Sequence, residues 1–370
     1  MPIGMAGFRA LPARCGRIGL MKRWQFWVGV IISVAFLAWA LSKLHLGEVW
    51  QDIKTAKFIW LLPGVAAYFL GVIVRSWRWH YMLRPLKKIS TWKMFPVVAI
   101  GYFGNNVYPA RAGEVLRAYV LRKREGVPIS ASLATVIVER IFDGVVMLAF
   151  VFLNLGQLTG LTQQSGFLGD IRTLAIVGGA VFLGALLVFL LAAMFPQVAE
   201  RILRGVIQRL LPARIREKTL AIGLKFLTGL ESLRTPQTAL MIFLTSVVIW
   251  LFETLKYWFV MHAFPGLAVS FFALMLMNGI VNLATTLPSA PGYIGTFDAP
   301  GIAVLTAYGV GVELATAYTL VLHAALWLPI TLLGAYYFSR EGLKWSQDFR
   351  QAVDAERTPL PPTPLPSEKD

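Results

Sequence analysis

Cysteine and acid are the scarce residues in this chain. One cysteine, Cys15, in 370 residues excludes an internal disulfide framework and a thiolate metal centre. Asp and Glu number 19 against 35 Lys and Arg, for a net charge of +16, yet charged residues of both signs make up only 15% of the chain. There is no HExxH, no GxSxG, no Walker loop and no DxD-like metal pair. We therefore expect no enzymatic activity, no metal and no cofactor. No long polar stretch exists from which to build a soluble domain, so any catalytic domain the function needs belongs to another chain. The basic excess does not point to nucleic acid, because the cations sit in short segments beside apolar runs, which is the positive-inside pattern of membrane proteins.

Hydrophobic residues are what the chain has in plenty. They make up 57% of it, mean hydropathy is +0.64, and several apolar runs exceed 18 residues. Continuous runs of that length predict an all-α polytopic membrane protein, whereas a β-barrel needs short alternating segments. A basic cytoplasmic N-terminus (1–23) precedes a first membrane repeat (24–153). A second repeat (154–345) contains a basic amphipathic linker (198–234), and a disordered cytoplasmic tail (346–370) follows. Full spans are expected at 24–44, 58–79, 129–153, 172–195, 238–262 and 313–338. Both termini fall on the cytoplasmic side of the inner membrane, and Met21 is an alternative start to Met1.

The stretch 101–124, GYFGNNVYPARAGEVLRAYVLRKR, does not read as an ordinary span. Its apolar approach is short, and Gly104, Asn105, Asn106, Pro109 and Gly113 then break the helix before a cluster formed by Arg111, Glu114, Arg117, Arg122, Lys123 and Arg124. Broken backbone at membrane depth is tolerated where it is buried in protein or lines a cavity. A second such stretch, LPSAPGYIGTFDAPG at 287–301, follows an apolar run and lies within a segment, 257–339, that has no Lys or Arg. Both read as re-entrant or discontinuous helices; if they cross fully, the chain has eight spans.

Charge inside a span needs a reason, since an unpaired charged group costs roughly 2.5–3.5 kcal/mol on insertion scales. Glu139, Arg140 and Asp143 lie in the middle of 129–153 and are spaced to share a helical face, so they should point into the protein. Glu253 and Lys256, three apart in 238–262, form a similar pair. Arg75 and Arg78, at the end of 58–79 among Trp77, Trp79, His80 and Tyr81, read instead as snorkelling anchors of an interfacial belt.

The two broken stretches resemble each other. Asn106, Pro109 and Gly113 with Glu114 answer Asn282, Pro288 and Gly292, with four residues from Pro to Gly in both, and the downstream match sets Arg140 opposite His323. Each half reads span, span, re-entrant, span. Three crossings per half is odd, so the second copy lies inverted, as in many transporters with broken helices meeting near the midplane. Helix ends freed by Gly and Pro offer N–H groups to an anion, and Arg111, Arg117 and Arg140 add charge-assisted bonds suited to phosphate.

NxxPARAGEVLR (106–117), the Glu139, Arg140, Asp143 triplet and LPSAPGYIGTF (287–297) together resemble the lysylphosphatidylglycerol synthase transmembrane region family over about residues 21–340. The resemblance implies a stand-alone, flippase-like member without the aminoacyl-transferase domain. Its partners would be membrane lipids (anionic phospholipid, glycolipid or hopanoid-type) and a separate lipid-modifying enzyme. Substrate would be bound in a groove between the repeats by Asn106, Arg111, Glu114, Arg117, Glu139, Arg140, Asp143, Asn282, Pro288, Gly292, Asp298 and His323. The family's pattern has arginine where this chain has His323, which implies a weaker or pH-sensitive headgroup contact there. An ion-coupled small-solute carrier and a membrane scaffold are the alternative readings, with a lipid-modifying enzyme behind them.

Overall fold

A computed structural model describes residues 45–342 except 109–110, 155–176, 178–179, 181–182, 185–186, 211 and 287–290. The expected N-terminal segment, the first span, part of the fourth span, Pro288 and the tail lie outside the described residues. Among the described residues every regular element is helical: α1 (Leu46–Thr55), α2 (Leu61–Leu83), α3 (Thr91–Val107), α4 (Ala112–Glu125), α5 (Ile129–Leu153), α6 (Pro196–Leu210), α7 (Ala213–Gly229), α8 (Pro236–Met261), α9 (Phe271–Ala284), α10 (Asp298–Ala307) and α11 (Val312–Arg340). The chain is an all-α polytopic membrane protein. The segments Phe58–Leu83, Pro236–Met261 and Val312–Arg340 are long and apolar enough to cross a bilayer. α5 has the length, 25 residues, but carries its charged triplet at the centre.

α3 and α4 form a closed hairpin. A Cβ on Gly113 would lie 1.9 Å from the Gly101 carbonyl oxygen, and one on Gly104 would lie 2.5 Å from the Gly113 Cα, so the two backbones touch and only glycine fits. α9 and α10 form a second hairpin, in which Gly301 lies against Met277. Ser270 caps its start by accepting the Ala273 N–H at 3.1 Å. At 1.5 Å per residue α3 and α9 are about 25 and about 21 Å long, short of the roughly 30 Å hydrocarbon core. Each of these helices is shorter than the three long apolar ones and is followed by a return helix packed against it.

The packing repeats between halves. α2 lies against α8, with Gly64 facing Val260 and Phe259, and Gly71 facing Phe252. Small residues let these backbones approach. The pairing is antiparallel, which is what equivalent helices of inverted repeats must show. The entering helix of each hairpin is held by the last helix of the other half. α3 packs on α11 through Gly334 against Ala99 and Phe103, and α9 packs on α5 through Gly279 against Met147 and Val151. Outside this frame α1 lies on α11, tied by His45 Nδ1 and Glu313 Oε1 at 3.3 Å, while the linker helix α7 lies on α5, with Gly229 against the Ala131 carbonyl.

One expectation fails here. Arg75, Arg78 and Trp79 are buried, Arg78 and Trp79 completely, so they are not an interfacial belt. α2 runs on to Leu83, which carries them inward against α5 and α8.

Candidate functional site

Four helices contribute to one chain of ion pairs, buried except at Arg111, Glu114 and Arg140, which are half-buried. Arg75 and Arg78, three apart, share a face of α2. Asp143 on α5 takes Arg78 Nη1 at 2.7 Å, Arg75 Nη1 at 3.3 Å and Arg140 Nη1 at 3.7 Å. Glu139, one turn earlier, takes Arg78 Nη2 at 3.5 Å and pairs with Arg117 of α4. Arg75 Nη2 also reaches Glu253 Oε1 of α8 at 3.4 Å, and Glu253 pairs with Lys256. At the tip of the first hairpin Arg140 Nε lies 3.0 Å and Arg111 Nε 3.5 Å from Glu114 Oε1. The network joins six cations to four carboxylates, a formal excess of two positive charges.

A cavity of about 320 Å³ opens between the hairpin tips. Arg111, Glu114 and Arg140 form one wall, and Arg75, Glu253 and Lys256 another. Tyr68, Tyr102, Trp250 and Phe297 supply aromatic surface. Thr286, also in the wall, is exposed, so the cavity reaches the outside of the fold there. The returning helices α4 and α10 both begin beside it, next to the lining residues Arg111 and Phe297. Trp250 Nε1 and Trp327 Nε1, on lining residues, are buried without a hydrogen-bond partner.

The tips touch. Gly292 lies against the Asn106 carbonyl, and the Arg111 guanidinium is 6.0 Å from the Tyr293 ring centre. Arg111 (φ 53°) and Tyr293 (φ 60°) both hold left-handed backbones, the only non-glycine residues to do so among those described. Such conformations persist where the surroundings over-determine them, and they cluster at functional sites.

Of the residues expected from sequence, Asn106, Arg111, Glu114, Arg140, Asn282 and His323 line the cavity. Asn106 also donates to Thr331 Oγ1 at 2.7 Å and locks the first tip to α11. Asn282 donates to the Asn278 carbonyl oxygen and side chain. Arg117, Glu139 and Asp143 were expected to face substrate and do not line this cavity; their charges are spent on neighbours within the network. Asp298 sits behind His323, 2.8 Å from its Nδ1, and Gly292 presents its carbonyl to the same ring. The expected pairing of Gly113 with Gly292 also fails. Gly113 lies inside α4 and allows helix contact, whereas Gly292 lies in a longer turn at φ 72°. In the structure Arg140 pairs with Glu114 of the first return helix, and His323 with Asp298 of the second. Sequence reasoning missed Arg75 and Arg78 as members of the site. The available signal was that Glu139 and Asp143 needed more cations than Arg140 alone.

The model of the lysylphosphatidylglycerol synthase TM region matches residues 26–334, and the chain belongs to that family. A UPF0104 membrane protein of Methanothermobacter thermautotrophicus is 27% identical, over 86% of this chain and 93% of its own length. A second, from Methanocaldococcus jannaschii, is 24% identical over 82% and 91%. The protein named glycosyltransferase AglD of Haloferax volcanii is 24% identical over 85% of this chain but only 54% of its own length. No solved structure matches.

Proposed function

We propose that this protein moves a lipid with an anionic headgroup across the bacterial-type inner membrane, passing the headgroup through the cavity between the hairpin tips. The observation that carries this reading is the charge imbalance, six cations to four carboxylates in a largely buried network whose half-buried end, Arg111, Glu114 and Arg140, faces the cavity. A buried charge without its counter-charge is costly, and a phosphate or similar group brings the missing negative charge. The indole N–H groups of Trp250 and Trp327, buried without a hydrogen-bond partner on lining residues, support the same occupant. Anionic phospholipids, charged glycolipids and hopanoid-type lipids with a charged head meet the requirement, and both termini are assigned to the cytoplasm. The chain is read as non-enzymatic and as working beside a separate lipid-modifying enzyme. The relative named a glycosyltransferase supports this, because the match covers about half of that protein.

Reconstitution tests it. Purified protein in liposomes carrying a fluorescent anionic phospholipid should expose inner-leaflet label to an external quencher, and Arg111→Ala and Arg140→Ala should each slow this by at least about tenfold, the equivalent of 1.4 kcal/mol. Movement that survives both substitutions refutes the residue assignment. The buried Glu253–Lys256 pair favours a second reading, an ion-coupled carrier of a small solute. Uptake of solute without movement of lipid would establish that reading instead.

A further inference from the structure

His323 is placed where a neutral ring does not fit. Its Nδ1 lies 2.8 Å from Asp298 Oδ1, and its Nε2 lies 2.7 Å from the Gly292 carbonyl oxygen. The carbonyl only accepts, and an ionised carboxylate only accepts, while neutral imidazole has a single N–H. Donating to Asp298 turns a bare ring nitrogen on the carbonyl, and donating to Gly292 turns one on the carboxylate. One added proton removes the conflict in either of two ways. Imidazolium donates to both oxygens, or a carboxyl proton on Asp298 donates to Nδ1 while Nε2–H donates to Gly292. The other carboxylate oxygen, Oδ2, accepts the Gly295 N–H at 2.9 Å.

We propose that His323 and Asp298 form a proton-binding site that latches residues 291–297 ahead of α10, holding this turn against the cavity when the proton is bound and freeing it when the proton leaves. The turn is suited to such control. Gly292, Tyr293 and Gly295 all have positive φ, and the latch grips it at the Gly292 carbonyl and the Gly295 amide. The Phe297 ring lies 4.5 Å from the imidazole, and Tyr293 reaches Arg111 of the first tip, so a shift of this turn reshapes the cavity wall. The equivalent latch of the first hairpin, Arg140 with Glu114, uses a guanidinium that keeps its proton in proteins. One tip is thus held by fixed charges and the other by a proton. Asp298 is the charged group in contact with the ring. Across the cavity Arg111, Glu114 and Arg140 face it from α4 and α5, Glu253 and Lys256 from α8, and α3 presents the uncharged Asn106. The headgroup contact expected of His323 is replaced by this internal one, since both ring nitrogens are taken. The proton site stands on geometry alone; only its consequence for transport rests on the proposed function.

The test is thiol labelling of full-length protein in lipid nanodiscs, with Ile294→Cys in the turn, in a Cys15→Ser background. The rate with a water-soluble maleimide is divided by that of Leu153→Cys, which corrects for thiol ionisation. From about pH 5 to about pH 9, the range that brackets histidine, the ratio should rise in one step. His323→Arg should hold it low throughout, and Asp298→Asn should remove the step. A ratio that is flat in the otherwise wild-type protein, or the same step in His323→Arg, overturns the proposal. His323→Gln, checked for a monodisperse elution profile, separates loss of the latch from loss of the fold: a folded variant should label fast at every pH, and slow labelling counts against the latch. Liposomes run in parallel keep the two claims apart. If no lipid moves at any pH while the labelling step persists and depends on His323, the transport reading fails and the proton site stands.

Discussion

The first hairpin is held by groups that stay charged and by backbone contact. Arg140, Glu114 and Arg111 fix its tip, and Gly101, Gly104 and Gly113 bring its two helices together without side chains between them. The second hairpin has a longer turn, three positive-φ residues and a His–Asp pair in place of Arg–Glu. No lysine or arginine occurs from 257 to 339. The same plan is therefore executed once as an element held by close backbone contact and permanent charges and once as one with a longer turn held by a His–Asp pair.

Substitutions in the charged half should do the most damage. Asp143→Asn takes the shared partner from Arg75, Arg78 and Arg140 at once. Each keeps one other carboxylate, Glu253, Glu139 or Glu114, so the loss should be about 3–4 kcal/mol, the lower part of the range for a broken buried pair, seen as a drop of the thermal unfolding midpoint in detergent. A stable Asp143→Asn protein would show that the network is not what holds the first half. Gly113→Ala is next, because its Cβ would meet the Gly101 carbonyl oxygen and the Asn105 backbone nitrogen, neither of which swings away. A loss of about 3 kcal/mol is expected. In the second hairpin Gly295→Ala meets open space and carries only the strain of φ 83°, about 1–2 kcal/mol. Equal losses for the two glycines would erase the contrast between the hairpins. Thr331→Val, which removes the partner of the Asn106 amide, should cost about 1 kcal/mol and loosen the first tip; labelling of Val107→Cys reads that loosening.

The smallest effect lies at the far end of the first hairpin. There Arg124 hydrogen-bonds Glu341 just past α11, and Lys123 reaches the Glu341 carbonyl oxygen. The bond to Arg124 holds the Glu341 carboxyl below the ordinary carboxylate range. A lowered carboxylate stabilises the fold above its unfolded pKa, near 4.3, and that contribution fades as pH falls through the folded value. Glu341→Gln should therefore lower stability by less than about 1 kcal/mol at neutral pH. The difference from wild type should shrink on acidification and at high salt, and thermal melts at two pH values and two ionic strengths measure it.

Most of the frame was legible before the structure. The segment 129–153 coincides with α5, and the inverted order of the halves followed from parity and charge placement alone. Hydrophobic length and the positive-inside bias are local signals, and local signals survive in one sequence. What escaped was set by contacts distant in the chain. Arg75 at the end of an apolar run has the same local pattern whether it anchors at an interface or pairs with Asp143, 68 residues away. The Gly113–Gly292 equivalence misled because the two turns differ in length, so equal Pro-to-Gly spacing did not mean equal position. The His323–Asp298 pair was visible only as two separate candidates, since a spacing of 25 residues across a turn leaves no periodic trace.

The lack of basic residues between Tyr257 and Ser339 has a consequence for biosynthesis. Insertion reads orientation from lysines and arginines flanking each segment, and the stretch 257–339 has none of its own. Its topology must be inherited as the chain leaves the ribosome, from an already placed first half and from the arginine-rich α6 and α7, with α7 docked on α5. The order of synthesis is thus part of the design. The stretch 257–339 produced by itself would have no instruction about which way to face, whereas the first half, with its cations at 111–124, carries its own.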